Sequence, residues 1–138
     1  MKKAKIAVLV SGGGTNLQAL INAQEKGIIK SGAIELVISN KADAYALTRA
    51  EKAGIKTEVV LRKSCAGSEE FEGRIMSLID GNKIDIIVLA GFMAILSEKF
   101  TAAYPERIIN VHPSLIPSFC GKGFYGLHVH EAVLDYGV

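Results

Sequence analysis

Apolar runs rich in β-branched residues recur at 5–10, 34–38, 57–61, 84–89 and 107–111, each close to continuously hydrophobic. Strands of that kind are buried on both faces, as in a parallel sheet. Between them the period changes. Leu17, Leu20 and Ile21, then Ala46, Leu47 and Ala50, then Phe71, Ile75, Leu78 and Ile79 recur at i, i+3, i+4, so each set lines one face of a helix. Boundary residues fit the alternation. Thr15 or Asn16 is expected to cap the first helix, Asp43 the second and Ser68 the third, with Gly27, Gly54 and Gly81 as left-handed residues just past the helix ends. Strand and helix alternating with right-handed crossovers give an α/β fold: an open, mostly parallel, Rossmann-like sheet with helices on both faces.

Composition narrows the class. A chain of 138 residues with 49% hydrophobic content suits a single domain, 1–138, with one continuous core. Sixteen Lys and Arg against fourteen Asp and Glu, spread along the chain, form no patch to grip a polyanion, so nucleic acid is not the expected partner. Every apolar run falls short of the roughly 20 residues that span a bilayer, and residues 6–10 are too short for a signal peptide core. The expectation is a cytoplasmic protein. Cys65 and Cys120 are isolated and expected as free thiols.

Two segments carry candidate chemistry. The first strand runs into Ser11-Gly12-Gly13-Gly14-Thr15-Asn16 and then a helix, so backbone N–H groups and the positive end of a helix dipole converge where an anion could sit. The pattern is neither a dinucleotide fingerprint nor a triphosphate loop, and a small phosphorylated substrate fits it better. A plain glycine-rich turn is the alternative. At the last strand, Asn110 and His112 lie two apart and face the same side at its carboxyl end. The amide can donate to an oxyanion and the imidazole can move a proton near neutral pH, a pairing suited to acyl transfer without a covalent intermediate. Simple strand-end roles for both remain open on spacing alone.

Taken together, residues 10–19, 39–44, 89–93 and 110–115 resemble, in order and over nearly the whole chain, the phosphoribosylglycinamide formyltransferases. The resemblance implies transfer of a formyl group from 10-formyltetrahydrofolate, as co-substrate, to the amine of 5′-phosphoribosylglycinamide in purine biosynthesis. It implies that Gly14, Thr15 and Asn16 hold the substrate phosphate, that Asn110 donates to the developing oxyanion, and that His112 shuttles the proton. Met93, Ala94, Ile95 and Leu96, with Asn110, are implied to line the folate site, and the apolar run also suits core packing. The implied partners are the two small molecules, with no nucleic acid and no membrane, and a homodimer is open to the fold.

Several positions depart from the family's pattern. Ala94 stands where many relatives carry Arg, no arginine appears around 68–70, and Lys63 is the candidate to replace it at the folate tail. The glycine-containing loop 118–126 is longer than in other members. It leads to His128 and His130, which lack a third ligand at metal spacing, so no metal is expected. The family's Asp that orients the His is expected about fifteen residues beyond Val138. The sheet's far edge and part of the folate pocket are expected to be missing with it, and a polypeptide ending there is expected to show little formyl transfer.

Rival readings are methionyl-tRNA formyltransferase, formyltetrahydrofolate hydrolase and a non-catalytic phosphate-binding module. The glycine-rich first loop and the lack of a basic region for tRNA favour the ribonucleotide enzyme. A hydrolase would more often carry an N-terminal regulatory domain ahead of the first strand.

Overall fold

The computed structural model describes residues 3–29, 31–94 and 96–111. Five strands, β1 (Ala4–Val10), β2 (Gly32–Ser39), β3 (Lys56–Val59), β4 (Ile86–Ala90) and β5 (Ile108–Val111), form one sheet in the order β3-β2-β1-β4-β5. Every pairing is parallel. The helices are α1 (Thr15–Glu25), α2 (Tyr45–Lys52), α3 (Ser68–Gly81) and α4 (Glu98–Ala103), with a 3₁₀ turn at Arg62–Ser64. The α/β expectation holds, and β3 begins one residue earlier and ends two residues earlier than the apolar run suggested.

Alternation along β1 divides the core. Ile6, Val8 and Val10 pack beneath Leu17, Leu20 and Ile21 of α1 and Ala46, Leu47 and Ala50 of α2. Ala7 and Leu9 face the other side, under Phe71, Ile75 and Ile79 of α3 and Phe100 of α4. Successive side chains of a strand point to opposite faces, so a strand covered on both sides must be apolar throughout. Glu35 is the charged exception within β2. The register with β1 slips between Ile6 and Ala7, which leaves Glu35 without a partner, and its side chain is exposed.

The expected caps need correction. Gly14, Ala44 and Gly67 occupy the cap positions of α1, α2 and α3, none with a side-chain cap bond. Thr15 and Ser68 are first helical residues, and Asp43 lies outside its helix. For α2 the reason is visible: the Gly12 carbonyl accepts from Ala46 N–H at 3.0 Å, so a loop carbonyl takes over from a side-chain cap. At the other ends, Gly27 and Gly54 are left-handed as expected, at φ 77° and 75°, whereas Gly81 is still helical and Lys83 takes the left-handed position at φ 55°. There Ile84 N–H donates to Ile79 O at 3.0 Å. Burying Ile84 as the closing residue, at 3% exposure, sets that register.

The short helix α4 has no counterpart among the periodicities of the sequence. Ser97 caps it by accepting from Phe100 N–H, and Glu72 of α3, a buried carboxylate, accepts from Ser97 N–H at 2.8 Å and Ser97 Oγ at 2.6 Å. After α4, Arg107 fixes the entry to β5. Its guanidinium donates to the Asp85 and Ile84 carbonyls and stacks 5.2 Å from the centroid of the Tyr104 ring.

Candidate functional site

In this strand order β1 is central, with the chain winding outward through β2 and β3 on one side and β4 and β5 on the other. Loops leaving the carboxyl ends of β1 and β4 therefore diverge and leave a crevice, where ligands of open α/β sheets bind. A cavity of about 560 Å³ lies there, lined by residues 11–16, Lys41, residues 90–93, Asn110 and Val111.

The β1 loop has the geometry of an anion cradle. Gly14 is left-handed at φ 79°, a conformation that penalises any side chain, and it sits against α2 where a Cβ would meet Ala46. The first bond of the α1 ladder runs from Gln18 N–H to Gly14 O at 2.8 Å, so the N–H groups of Thr15, Asn16 and Leu17 lie ahead of it. Those of Gly13, Gly14, Thr15 and Asn16 find no acceptor among the described residues. Asn16 is only 3% exposed, and both its Nδ2 and Oδ1 lack partners among the described residues. A buried amide with neither end satisfied is costly and calls for an explanation, which a bound polar ligand would provide.

Around the cradle, Ser11 joins three strand ends. Its hydroxyl donates to Asn40 Oδ1 at 2.6 Å, after β2, and accepts from Met93 N–H at 2.7 Å, after β4. Lys41 brings the cavity's lining a cation, with its backbone locked by Ser39, whose Oγ accepts from Lys41 N–H at 3.0 Å and donates to Lys41 O at 2.7 Å. Its ammonium has no carboxylate within bridging distance among the described residues. The resemblance over residues 39–44 assigned Lys41 no role. The signal that could have found it is its place at the carboxyl end of the second strand, beside the glycine loop.

The structure thus brings Gly14, Thr15, Asn16, Met93 and Asn110 to one crevice. Met93 is 76% exposed, whereas Ala94 and Leu96 pack toward the α3 side of the core and do not line it. Asn110 is exposed near the end of β5, paired in register with Leu89 of β4. His112, Ile95, Cys120, the 118–126 loop, His128 and His130 lie outside the described residues. Lys63 lines a second cavity with Arg62 and Asp43, and this cavity shares Lys41 with the first. Cys65 is a buried thiol with no disulfide partner among the described residues. Among the described residues no group of three or more His, Cys, Asp or Glu could hold a metal ion, and no helix is long and apolar enough to cross a membrane.

Residues 4–138 match the formyl transferase family. The chain is 48% identical over 133 residues to the phosphoribosylglycinamide formyltransferase of Haemophilus influenzae, covering 96% of this chain and 62% of that protein. It is 44% identical over 137 residues to the human trifunctional purine biosynthetic protein adenosine-3, covering 99% of this chain and 13% of that one. It therefore spans less than two thirds of these curated relatives. Among solved structures, the phosphoribosylglycinamide formyltransferase from Brucella melitensis superposes with a TM-score of 0.78 at 44% identity, covering 99% of this chain and 68% of that one.

Proposed function

The chain belongs to the formyl transferase family, among its phosphoribosylglycinamide formyltransferases, and from that premise we propose that the protein moves a formyl group from 10-formyltetrahydrofolate to the amine of 5′-phosphoribosylglycinamide, a step of purine biosynthesis. The observation that carries the proposal is Asn16: a buried amide, unpartnered among the described residues, on a glycine-rich loop at the sheet's switch point, where a phosphate would satisfy it. Gly14 and Thr15 supply neighbouring donors.

With the phosphate held there, the ribose and glycine amine extend along the crevice toward β5. The amine nitrogen bonds to the formyl carbon and the carbon's bond to the folate nitrogen breaks. Asn110 donates to the formyl oxygen as it becomes negative, which lowers the barrier most when the donor is fixed in advance. His112 takes the proton from the attacking amine and returns it to the departing folate nitrogen. Met93 presents the surface on which the folate ring rests, with Ala94 and Leu96 packed behind it toward α3.

Two variants of the complete protein test this. His112→Ala is expected to abolish most formyl transfer. Asn16→Ala is expected to weaken ribonucleotide binding by calorimetry about tenfold, without lowering the ligand-free melting temperature, because the amide it removes has no partner to lose among the described residues. Unchanged turnover in the first or unchanged affinity in the second would remove that residue from the site.

A further inference from the structure

The side of the glycine loop that faces α2 is outside the crevice, yet it sets what the crevice presents. Two successive loop carbonyls are drawn toward α2: Gly12 O accepts from Ala46 N–H at 3.0 Å, and Gly13 O accepts from Arg49 Nε at 2.7 Å. No cis peptide occurs among the described residues, and in a trans peptide the N–H points opposite to the C=O. The N–H groups of Gly13 and Gly14 are therefore turned away from α2. No α2 residue lines the crevice, so these donors face its side of the loop. Of the two holds, the first is backbone to backbone. The second depends on one side chain.

That side chain is itself held. Arg49 Nη1 donates to Gln18 Oε1 at 3.2 Å, and the guanidinium lies 5.0 Å from the centroid of the Tyr45 ring. A Cβ at position 14 would lie 3.2 Å from Arg49 Cδ, so the loop and the arginine stem are in close apposition. The positive charge behind the Gly13 carbonyl also polarises the peptide whose N–H belongs to Gly14, which strengthens that donor.

We infer that Arg49 is a positioning residue for a phosphate monoester: from outside the crevice, by holding the Gly13 carbonyl, it aims the Gly14 N–H at the anion. This rests on reading the loop as the substrate phosphate site, for which the unpartnered Asn16 amide is independent support. Arg49 touches neither substrate. Its loss acts on phosphate affinity and leaves the folate side unaffected.

The test compares wild type, Arg49→Met and Arg49→Lys in the complete protein, titrated with the ribonucleotide, with its dephosphorylated riboside and with inorganic phosphate. Loss of a charge-assisted hold on the donor is expected to weaken ribonucleotide and phosphate binding about tenfold in Arg49→Met, with partial rescue in Arg49→Lys. Riboside binding and the KM for formyl folate stay at their wild-type values, and the phosphate-induced shift of the Gly14 amide resonance shrinks. Wild-type phosphate affinity in Arg49→Met overturns the inference, as does an equal loss for riboside and folate. If Arg49→Met does not fold, wild-type phosphate affinity in Arg49→Lys overturns it and weakened affinity supports it. A wild-type protein that takes phosphate but not the ribonucleotide refutes the proposed substrate and leaves Arg49 to be judged on the phosphate series. One that takes neither overturns both.

Discussion

Replacing Gly14 by alanine tests whether the cradle's backbone shape is built into the packing of α1 on α2. The added Cβ would lie 2.6 Å from Ala46 Cβ and 2.8 Å from Ala46 Cα, on a residue with φ +79°. Two costs follow. Holding an L-residue in the left-handed region costs roughly 1–2 kcal/mol. Forcing an extra methyl into a filled space costs roughly 1–3 kcal/mol, and here relief requires moving the α2 backbone. Together they make roughly 2–5 kcal/mol, a large part of the roughly 5–15 kcal/mol that holds a domain folded. Urea denaturation of the ligand-free protein reads it directly. The two costs separate in a double-mutant cycle with Ala46→Gly, which removes the nearer clash but leaves the overlap with the α2 backbone and the strain at position 14. Glycine inside α2 costs about 1 kcal/mol by itself, yet Gly14→Ala with Ala46→Gly is expected to be about 1 kcal/mol more stable than the sum of the single changes predicts. A Gly14→Ala protein within about 0.5 kcal/mol of wild type, or strict additivity in the cycle, would refute the packing argument.

Two further changes probe the supports of the crevice. Glu72→Ala leaves Ser97 N–H and Oγ without their buried acceptor and is expected to cost about 2–3 kcal/mol in denaturation. Glu72→Gln, which keeps one accepting oxygen, should cost less. Because Ser97 ends the segment that begins at Gly91, both variants should raise the KM for formyl folate while ribonucleotide affinity holds, and a loss confined to the ribonucleotide would contradict this. Tyr104 responds to alkali. Burial foremost, then the hydrogen bond to Asp80 at 3.0 Å and that residue's charge, push its pKa well above the ordinary value of 10.0, with Arg107 opposing. The unfolded chain therefore ionises first. The stabilisation is complete below pH 10 and is lost as pH rises beyond it toward the folded-state value. Tyr104→Phe should flatten the fall of melting temperature above pH 10, and parallel wild-type and mutant curves would show that Tyr104 is not its source.

The periodicities carried the fold because the inner strands β1, β2 and β4 are covered on both sides: β1 reads as an unbroken apolar run since Ala7 and Leu9 need burial as much as Ile6 and Val8 do. Helix ends were less legible. Ser68 and Asp43 are good capping types, but α2 takes its capping acceptor from Gly12, a residue over 30 positions away, and no local pattern reveals that. Lys83 in a left-handed conformation is likewise invisible, because the burial of Ile84 decides it. α4 was missed because six residues hold too few apolar positions to show a period, and its anchor Glu72 lies on another helix. For the candidate site, the glycine-rich loop after the first strand was legible as a place where backbone donors converge, while the choice of Gly14, Thr15 and Asn16 within it came from the family resemblance. Lys41 and Arg49 were not legible, since a lysine and an arginine on a polar surface look alike whether or not the fold turns them to line a crevice or to hold its loop.

Ser11 bonds the two halves of the crevice to each other. A hydroxyl offers one donor and two acceptor positions, and here the donor is spent on Asn40 after β2 and an acceptor on the Met93 N–H after β4. The loop that begins the anion cradle is thus bonded to the segment proposed to support the folate ring. At 2% exposure Ser11 is shielded from bulk solvent. Alanine there would release the Met93 amide and the Asn40 side-chain oxygen together, so the distance between the proposed phosphate cradle and the proposed folate wall depends on a residue proposed to touch neither substrate. Arg49 and Glu72 work in the same way from the two faces of the sheet. The groups proposed to meet substrate lie on the loop at 11–16, the 91–96 segment and the end of β5, while the groups that fix the two loops are Arg49 of α2, Glu72 of α3 and Ser11 directly after β1.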